Sequence, residues 1–122
     1  MSALRVSENG RYFVRDGAPF FWMGDTAWSL VNRYTPEEAD EYLEHRRRQG
    51  FNVVHVMALF DGGPGITTPA ADRQNELPFL DWNPATPNEA YFRSLDHVVR
   101  LAREKDFILV ILPCGGSGGS FR

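Results

Sequence analysis

The sequence predicts an α/β fold built on a parallel sheet, and three observations carry that expectation. First, apolar runs recur at about residues 19–24, 51–60 and 107–112, each bounded by glycine, aspartate or proline. Runs without polar alternation suit strands buried on both faces, as in parallel sheets. Second, the segments between the runs carry helix-start signals and are long enough to return the chain to the same sheet end. Third, before the first run lie two Gly-containing turn signals, Asn9-Gly10 and Asp16-Gly17. The order is a short β-meander and then β-α-β-α-β.

Residues 4–22 form the expected meander. Leu4 and Val6 alternate with polar residues, and Asn9-Gly10 signals a two-residue hairpin because both tolerate positive φ. Tyr12-Phe13-Val14 follows as a strand, and Asp16-Gly17 makes a second tight turn. The third strand, about 19–24, holds Phe20-Phe21-Trp22-Met23 and runs into Gly24-Asp25-Thr26. Polar residues just past such a strand sit at its C-terminal end, where α/β folds bind ligands. Asp25 is therefore expected at that rim.

Ala27 to Arg33 reads as a helical turn. Thr35-Pro36-Glu37-Glu38 then supplies a Thr N-cap, Pro at the first helical position and Glu three residues after the cap. Acidic residues crowd the start of this helix and Arg46-Arg47-Arg48 its end, as the helix dipole favours. Ala39, Tyr42 and Leu43 form a narrow apolar stripe, and Gly50 stops the helix. Residues 61–86 show no periodicity and contain Gly62-Gly63-Pro64-Gly65. A connection that long inside a domain is usually functional, and it leaves from a strand's C-terminal end. Thr86-Pro87-Asn88-Glu89 repeats the capping pattern, and Tyr91, Leu95, Val98, Val99 and Ala102 form an amphipathic stripe. After Pro113, residues 114–122 are Gly/Ser-rich and read as a tail without structure of its own.

Composition sets the outer bounds. The chain has 122 residues, net charge −3 and 43% hydrophobic residues, enough for one domain with a core. That charge balance gives no case for nucleic acid or an anionic membrane as partner. The single cysteine, Cys114, excludes an intrachain disulfide. No apolar run approaches the roughly 18 residues that span a membrane, and the N-terminus lacks a signal-peptide apolar region. The expected location is cytoplasmic as written, or exported if a further N-terminal segment precedes Met1. No metal or cofactor is expected: the three histidines and Cys114 lack ligand spacing, and no Lys or helix follows the tail glycines to make a phosphate loop.

Several blocks carry a family resemblance: Gly10 to Trp28 with its Gly24-Asp25-Thr26-Ala27-Trp28, then Tyr42-Leu43, Arg46 and Gly50-Phe51-Asn52-Val53-Val54. Pro87-Asn88-Glu89-Ala90-Tyr91-Phe92 with Asp96 completes the set. Together they resemble the N-terminal part of apiosidase-like glycoside hydrolases, whose catalytic domain is a (β/α)8 barrel. The resemblance covers about residues 4–113. It implies a retaining or inverting glycosidase acting on plant cell-wall or related polysaccharide. Such a barrel needs about 250 residues. The expected fold is thus a β-hairpin or meander followed by the first three strands and two helices of an incomplete barrel, in residues 1–113. The last strand is then an exposed hydrophobic edge, a place for self-association. Family members continue with a Trp-Gly segment and further βα units, and the resemblance puts the catalytic carboxylates on those later strands. No catalytic residue is expected within this chain.

Substrate-contacting candidates are Asp25, Trp28, His55, Asp61 and Trp82. Glycoside hydrolysis uses two carboxyl groups about 5–9.5 Å apart, and Asp25 and Asp61 follow neighbouring strands. Each also has a plainer reading: Asp25 caps the following turn, and Asp61 starts a Gly-rich turn. Trp28 either packs in the core or stacks on a sugar, core being preferred; Trp82 is balanced between loop packing and binding. His55 points either into the barrel or toward the helices, with a satisfied core histidine preferred. Two functions follow: a glycosidase portion that is inactive alone, or a non-catalytic module using loop 61–86 to hold carbohydrate or protein.

Overall fold

A computed structural model describes residues 3–60 and 70–114. Two three-stranded sheets make up the strands. The first is antiparallel, in the order β1 (Arg5–Val6), β2 (Phe13–Arg15), β3 (Ala18–Phe20). The second is parallel, in the order β4 (Gly24–Thr26), β5 (Val53–Leu59), β6 (Ile108–Cys114). The helices are α1 (Leu30–Arg33), α2 (Pro36–Arg48) and α3 (Glu89–Glu104).

The sequence signals at α2 act as read. Thr35 accepts from the Glu38 N–H at 3.2 Å, and Glu38 accepts from the Thr35 N–H at 2.8 Å. Gly50 beyond its end has φ +88°. Strand alternation then divides the parallel sheet. Val54 and Val56 of β5 face the helices and pack with Leu30, Val31, Ala39, Leu43, Val98, Leu101 and Ala102. Gly24, Thr26, Val53, His55, Met57 and Leu59, with Ile108, Val110, Leu112 and Cys114 in register, share the opposite face. In a closed barrel that face lines the lumen. Below it, the meander lies at the N-terminal strand ends. Arg15 forms an ion pair with Asp106, two residues before β6. Asn52, just before β5, donates to the Phe21 carbonyl at 2.7 Å and accepts from the Met23 N–H at 2.9 Å.

Several expectations are corrected. The run at 19–24 is two strands, not one. Its centre crosses between sheets, and Phe21, Trp22 and Met23 are exposed. Pro19 lies on β3, the edge strand of its sheet, where a missing N–H is tolerated. Asn52 then takes the crossing's backbone groups. The loop around Asn9-Gly10 is longer than two residues. Ser7 Oγ accepts from the N–H groups of Arg11 and Tyr12 at 3.2 and 3.1 Å, so a side chain closes the loop. Asp16-Gly17 does turn in two residues, with φ +53° and +78°. Residues 70–86 are not structureless: Asp72 Oδ1 accepts from the Gln74 and Glu76 N–H groups, both at 2.9 Å. The α3 cap is Asn88 rather than Thr86, whose hydroxyl turns back to the Leu80 and Asn83 carbonyls. In the α3 stripe Val99 is exposed and Leu101 is buried instead. β6 continues through Cys114, one residue into the expected tail.

Candidate functional site

β4 places Asp25 mid-strand, in register with Val54, rather than past the strand end. Its side chain lies on the helix face. Oδ1 accepts from the Thr26 N–H at 2.8 Å. Oδ2 accepts from the Tyr42 hydroxyl at 2.6 Å and pairs with Arg46. Arg46 also lies over the Tyr42 and Phe51 rings, 5.1 and 5.4 Å from their centroids. Partial burial pulls the Asp25 carboxyl up. The Tyr42 hydroxyl, the Thr26 N–H and the Arg46 charge outweigh it and hold the group below the usual carboxylate range. Burial and the bond to Asp25 raise the Tyr42 phenol. Asp25 thus ties β4 to α2, and Arg46 does more than serve the helix dipole. All three residues line a cleft of about 350 Å³ with Trp28, Tyr34 and Phe60.

His55 lies on the lumen face, half-buried. Its Nδ1 is 3.2 Å from the Asp25 carbonyl oxygen. A carbonyl only accepts, so this contact has its proton on Nδ1; in the neutral ring Nε2 is then the acceptor. The imidazole sits between two indoles, with Trp22 and Trp28 centroids each 6.2 Å away. Gly24 makes room for them: a Cβ there would lie 3.1 Å from Trp22 Nε1 and 3.2 Å from His55 Cε1. Trp28 extends β4 past Thr26, its carbonyl accepting from the Met57 N–H at 3.2 Å. The lumen face therefore presents aromatic rings beside two polar side chains, His55 and Thr26.

Trp82 is exposed on a 3-10 turn, Leu80–Trp82, ahead of α3. Asp61 lies outside the described residues. Trp22 was read from the sequence only as strand core; a Gly two residues away is the sole hint of its packing. Tyr42 and Arg46, four apart on α2, show no sequence sign of their shared partner seventeen or more residues upstream. A second cavity, about 340 Å³, lies on the outer side between α2 and α3 and includes Pro36, Arg93 and His97.

The model of the apiosidase-like catalytic domain matches residues 7–120. This chain belongs to the apiosidase-like family. This apiosidase-like chain also aligns with mannan endo-1,4-beta-mannosidase 5 of Arabidopsis thaliana, at 28% identity over 110 residues, 87% of this chain and 22% of the relative. Among solved structures, a glycoside hydrolase superposes with TM-score 0.80 at 30% identity, covering 95% of this chain and 26% of that one. A family 5 glycoside hydrolase from Bacteroides vulgatus gives TM-score 0.74 at 23% identity, covering 89% and 24%. A family 5 mannosidase from Rhizomucor miehei gives 0.69 at 20% identity, covering 90% and 27%. The chain spans about a quarter of the length of these relatives. It has the fold of the opening of a family 5-type (β/α)8 barrel and is a glycoside hydrolase-like segment.

Proposed function

We propose that this apiosidase-like chain supplies part of the substrate surface of a glycosidase acting on a plant-type polysaccharide, a β-mannan being the first substrate to test. The observation that carries the reading is His55 on the lumen face, its Nδ1 3.2 Å from the Asp25 carbonyl oxygen and its ring 6.2 Å from both the Trp22 and Trp28 rings. The relative from Arabidopsis, a mannan endo-1,4-beta-mannosidase, supports the choice of substrate.

The reaction needs a general acid and a second carboxylate as nucleophile or base. Among the described residues, the lumen positions of β4, β5 and β6 hold no carboxylate. Asp25 is turned to the helix side and spent on Tyr42 and Arg46. This reading assigns the catalytic pair to parts of the barrel other than these three strands. This chain's part is to bind and orient: Trp28 offers a ring face and His55 an acceptor.

The test is release of reducing sugar from β-1,4-mannan and from aryl β-mannosides by the purified 122-residue chain. No turnover above buffer is expected. Turnover that Asp25→Ala abolishes would contradict the assignment of Asp25 to structure and of catalysis to other residues.

A further inference from the structure

We infer that Asp25 is a positioning residue for His55. Its carboxylate, anchored from the helix side, acts through the Asp25–Thr26 peptide unit to hold the imidazole proton on Nδ1, and so decides what the ring presents to the lumen. This role rests on the saccharide-binding reading above for its use, but the place of the proton is read without any sugar.

One peptide unit is engaged at both of its ends. Asp25 Oδ1 accepts from the Thr26 N–H at 2.8 Å. The carbonyl of that same peptide, Asp25 O, lies 3.2 Å from His55 Nδ1. The amide is planar, and its N–H and C=O point in opposite directions. Carboxylate, N–H, C=O and imidazole N–H therefore form one chain of hydrogen bonds. A negative charge at the N–H end draws the amide's electrons toward its oxygen, which makes the carbonyl a better acceptor. Bonds linked in this way strengthen one another, by about 10–30% each. A stronger acceptor at Asp25 O favours the ring tautomer with its proton on Nδ1, and in that neutral ring Nε2 accepts.

The sheet explains why the route runs through the backbone. Asp25 is in register with Val54, and its side chain lies on the helix face; His55 is in register with Thr26 on the lumen face. Side chains on opposite faces of a sheet do not meet, so the peptide is what joins them. Each end is also fixed from its own side. On the helix side, Asp25 Oδ2 accepts from the Tyr42 hydroxyl at 2.6 Å and pairs with Arg46. Partial burial works against ionisation of Asp25, but the Tyr42, Thr26 and Arg46 contacts outweigh it and the carboxylate stays charged. On the lumen side, the imidazole has the Trp22 and Trp28 centroids 6.2 Å away. A Cβ at position 24 would come within 3.2 Å of His55 Cε1, so Gly24 leaves room for the ring. Thr26 and Val110 flank it on the two neighbouring strands. None of these neighbours is titratable. Among the described residues, the ionisable groups linked to the ring are Asp25 and, behind it, Tyr42 and Arg46.

The test reads the tautomer directly, from the imidazole nitrogen signals of the 15N-labelled 122-residue chain. Spectra are taken at about pH 9, well above the ordinary imidazole range, and His55→Gln identifies the signals of His55. The wild type should show mostly Nδ1–H. Asp25→Asn keeps an oxygen for the Thr26 N–H but loses the charge, and should lower the ratio of Nδ1–H to Nε2–H about threefold. Asp25→Ala loses both, and should lower it about tenfold. Tyr42→Phe leaves Oδ1 on the Thr26 N–H. It should lower the melting temperature yet keep the ratio within about twofold of wild type, which separates positioning from stability. A wild-type ratio in both Asp25 variants overturns the inference, as does a wild type that is mostly Nε2–H. An equal fall in Tyr42→Phe also overturns it, because lost docking of α2 would then move the proton. Where circular dichroism shows Asp25→Ala unfolded, Asp25→Asn decides alone: a fall upholds the relay and an unchanged ratio refutes it. Calorimetry with a β-1,4-mannose hexamer keeps the two readings apart. The expected ratios with equal hexamer affinity in His55→Ala uphold the relay and defeat the saccharide reading. Unchanged ratios with weakened binding in His55→Ala do the reverse.

Discussion

Replacing Asp25 with Ala removes a group that joins β4 to α2 through two contacts, one to Tyr42 and one to Arg46. The loss can be sized from the structure. Tyr42 donates to Oδ2 at 2.6 Å and Arg46 pairs with the same oxygen. Hydrogen bonds to charged groups contribute about 1.5–3 kcal/mol each when desolvated. Here the side chains of Asp25 and Arg46 are 22% and 30% exposed, so water repairs part of the loss. A net destabilisation of about 2 kcal/mol is expected, or roughly 8 °C in melting temperature for a domain of this size. Tyr42→Phe alone should cost about 1 kcal/mol, and the double mutant less than the sum, a coupling of roughly 1 kcal/mol. The assay is urea unfolding followed by far-UV circular dichroism. The sign with pH also follows. The folded carboxyl lies below its unfolded value, so its contribution is present above the unfolded pKa and is lost as pH falls through the folded one. Asp25→Asn should remove that acid slope. An Asp25→Ala variant as stable as wild type, with no coupling to Tyr42, would refute the reasoning and return the carboxylate to the ligand.

Other outcomes follow from neighbouring features. Gly24→Ala should displace the Trp22 indole and destabilise by about 1–3 kcal/mol, seen as a shifted tryptophan emission maximum and a lower melting temperature. The Tyr91 phenol is pushed up to about 12, chiefly by burial, so ultraviolet titration should show it ionising last. Its contribution is fully present below the unfolded tyrosine pKa and is lost as pH rises beyond that value through the folded one, about 12. Glu44 is lowered to about 2 by Arg47 and Arg48. Glu44→Gln should therefore flatten the decline in stability on acidification below the unfolded glutamate range, measured by melting temperature against pH. The outer edge of β6 has no strand partner among the described residues. Sedimentation velocity should show concentration-dependent self-association that a lysine at Ile111 weakens.

How much of this was legible in the sequence depends on the reach of each interaction. The α2 cap, the Asp16-Gly17 turn and the parallel βαβ order are set by residues a few positions apart, and they stand as read. The run at 19–24 misled because apolar character alone cannot separate a strand buried on both faces from a chain changing sheets. What decides it is Asn52, about thirty residues away, bonding the crossing's backbone. Asp25 misled in the same way: its position looked like a rim, but Tyr42 and Arg46 claim it from the helix side. His55 was left between two faces by the sequence; its register with Thr26 and Val110 puts it on the lumen side. Thr86 looked like a helix cap because Pro87 follows it. The bridge from Phe79 to Pro87 instead moves the cap to Asn88 and leaves Thr86 to brace the Trp82 loop.

The most direct test of the account compares the lumen face with the outer cavity between α2 and α3. Dissociation constants for a β-1,4-mannose hexamer, measured by calorimetry for wild type, His55→Ala, Trp28→Ala and His97→Ala, separate the two surfaces. The account predicts that His55→Ala and Trp28→Ala each weaken binding about tenfold, near 1.4 kcal/mol, while His97→Ala leaves it unchanged. Loss of binding in His97→Ala, with His55→Ala and Trp28→Ala like wild type, would contradict it and move the saccharide to the outer surface.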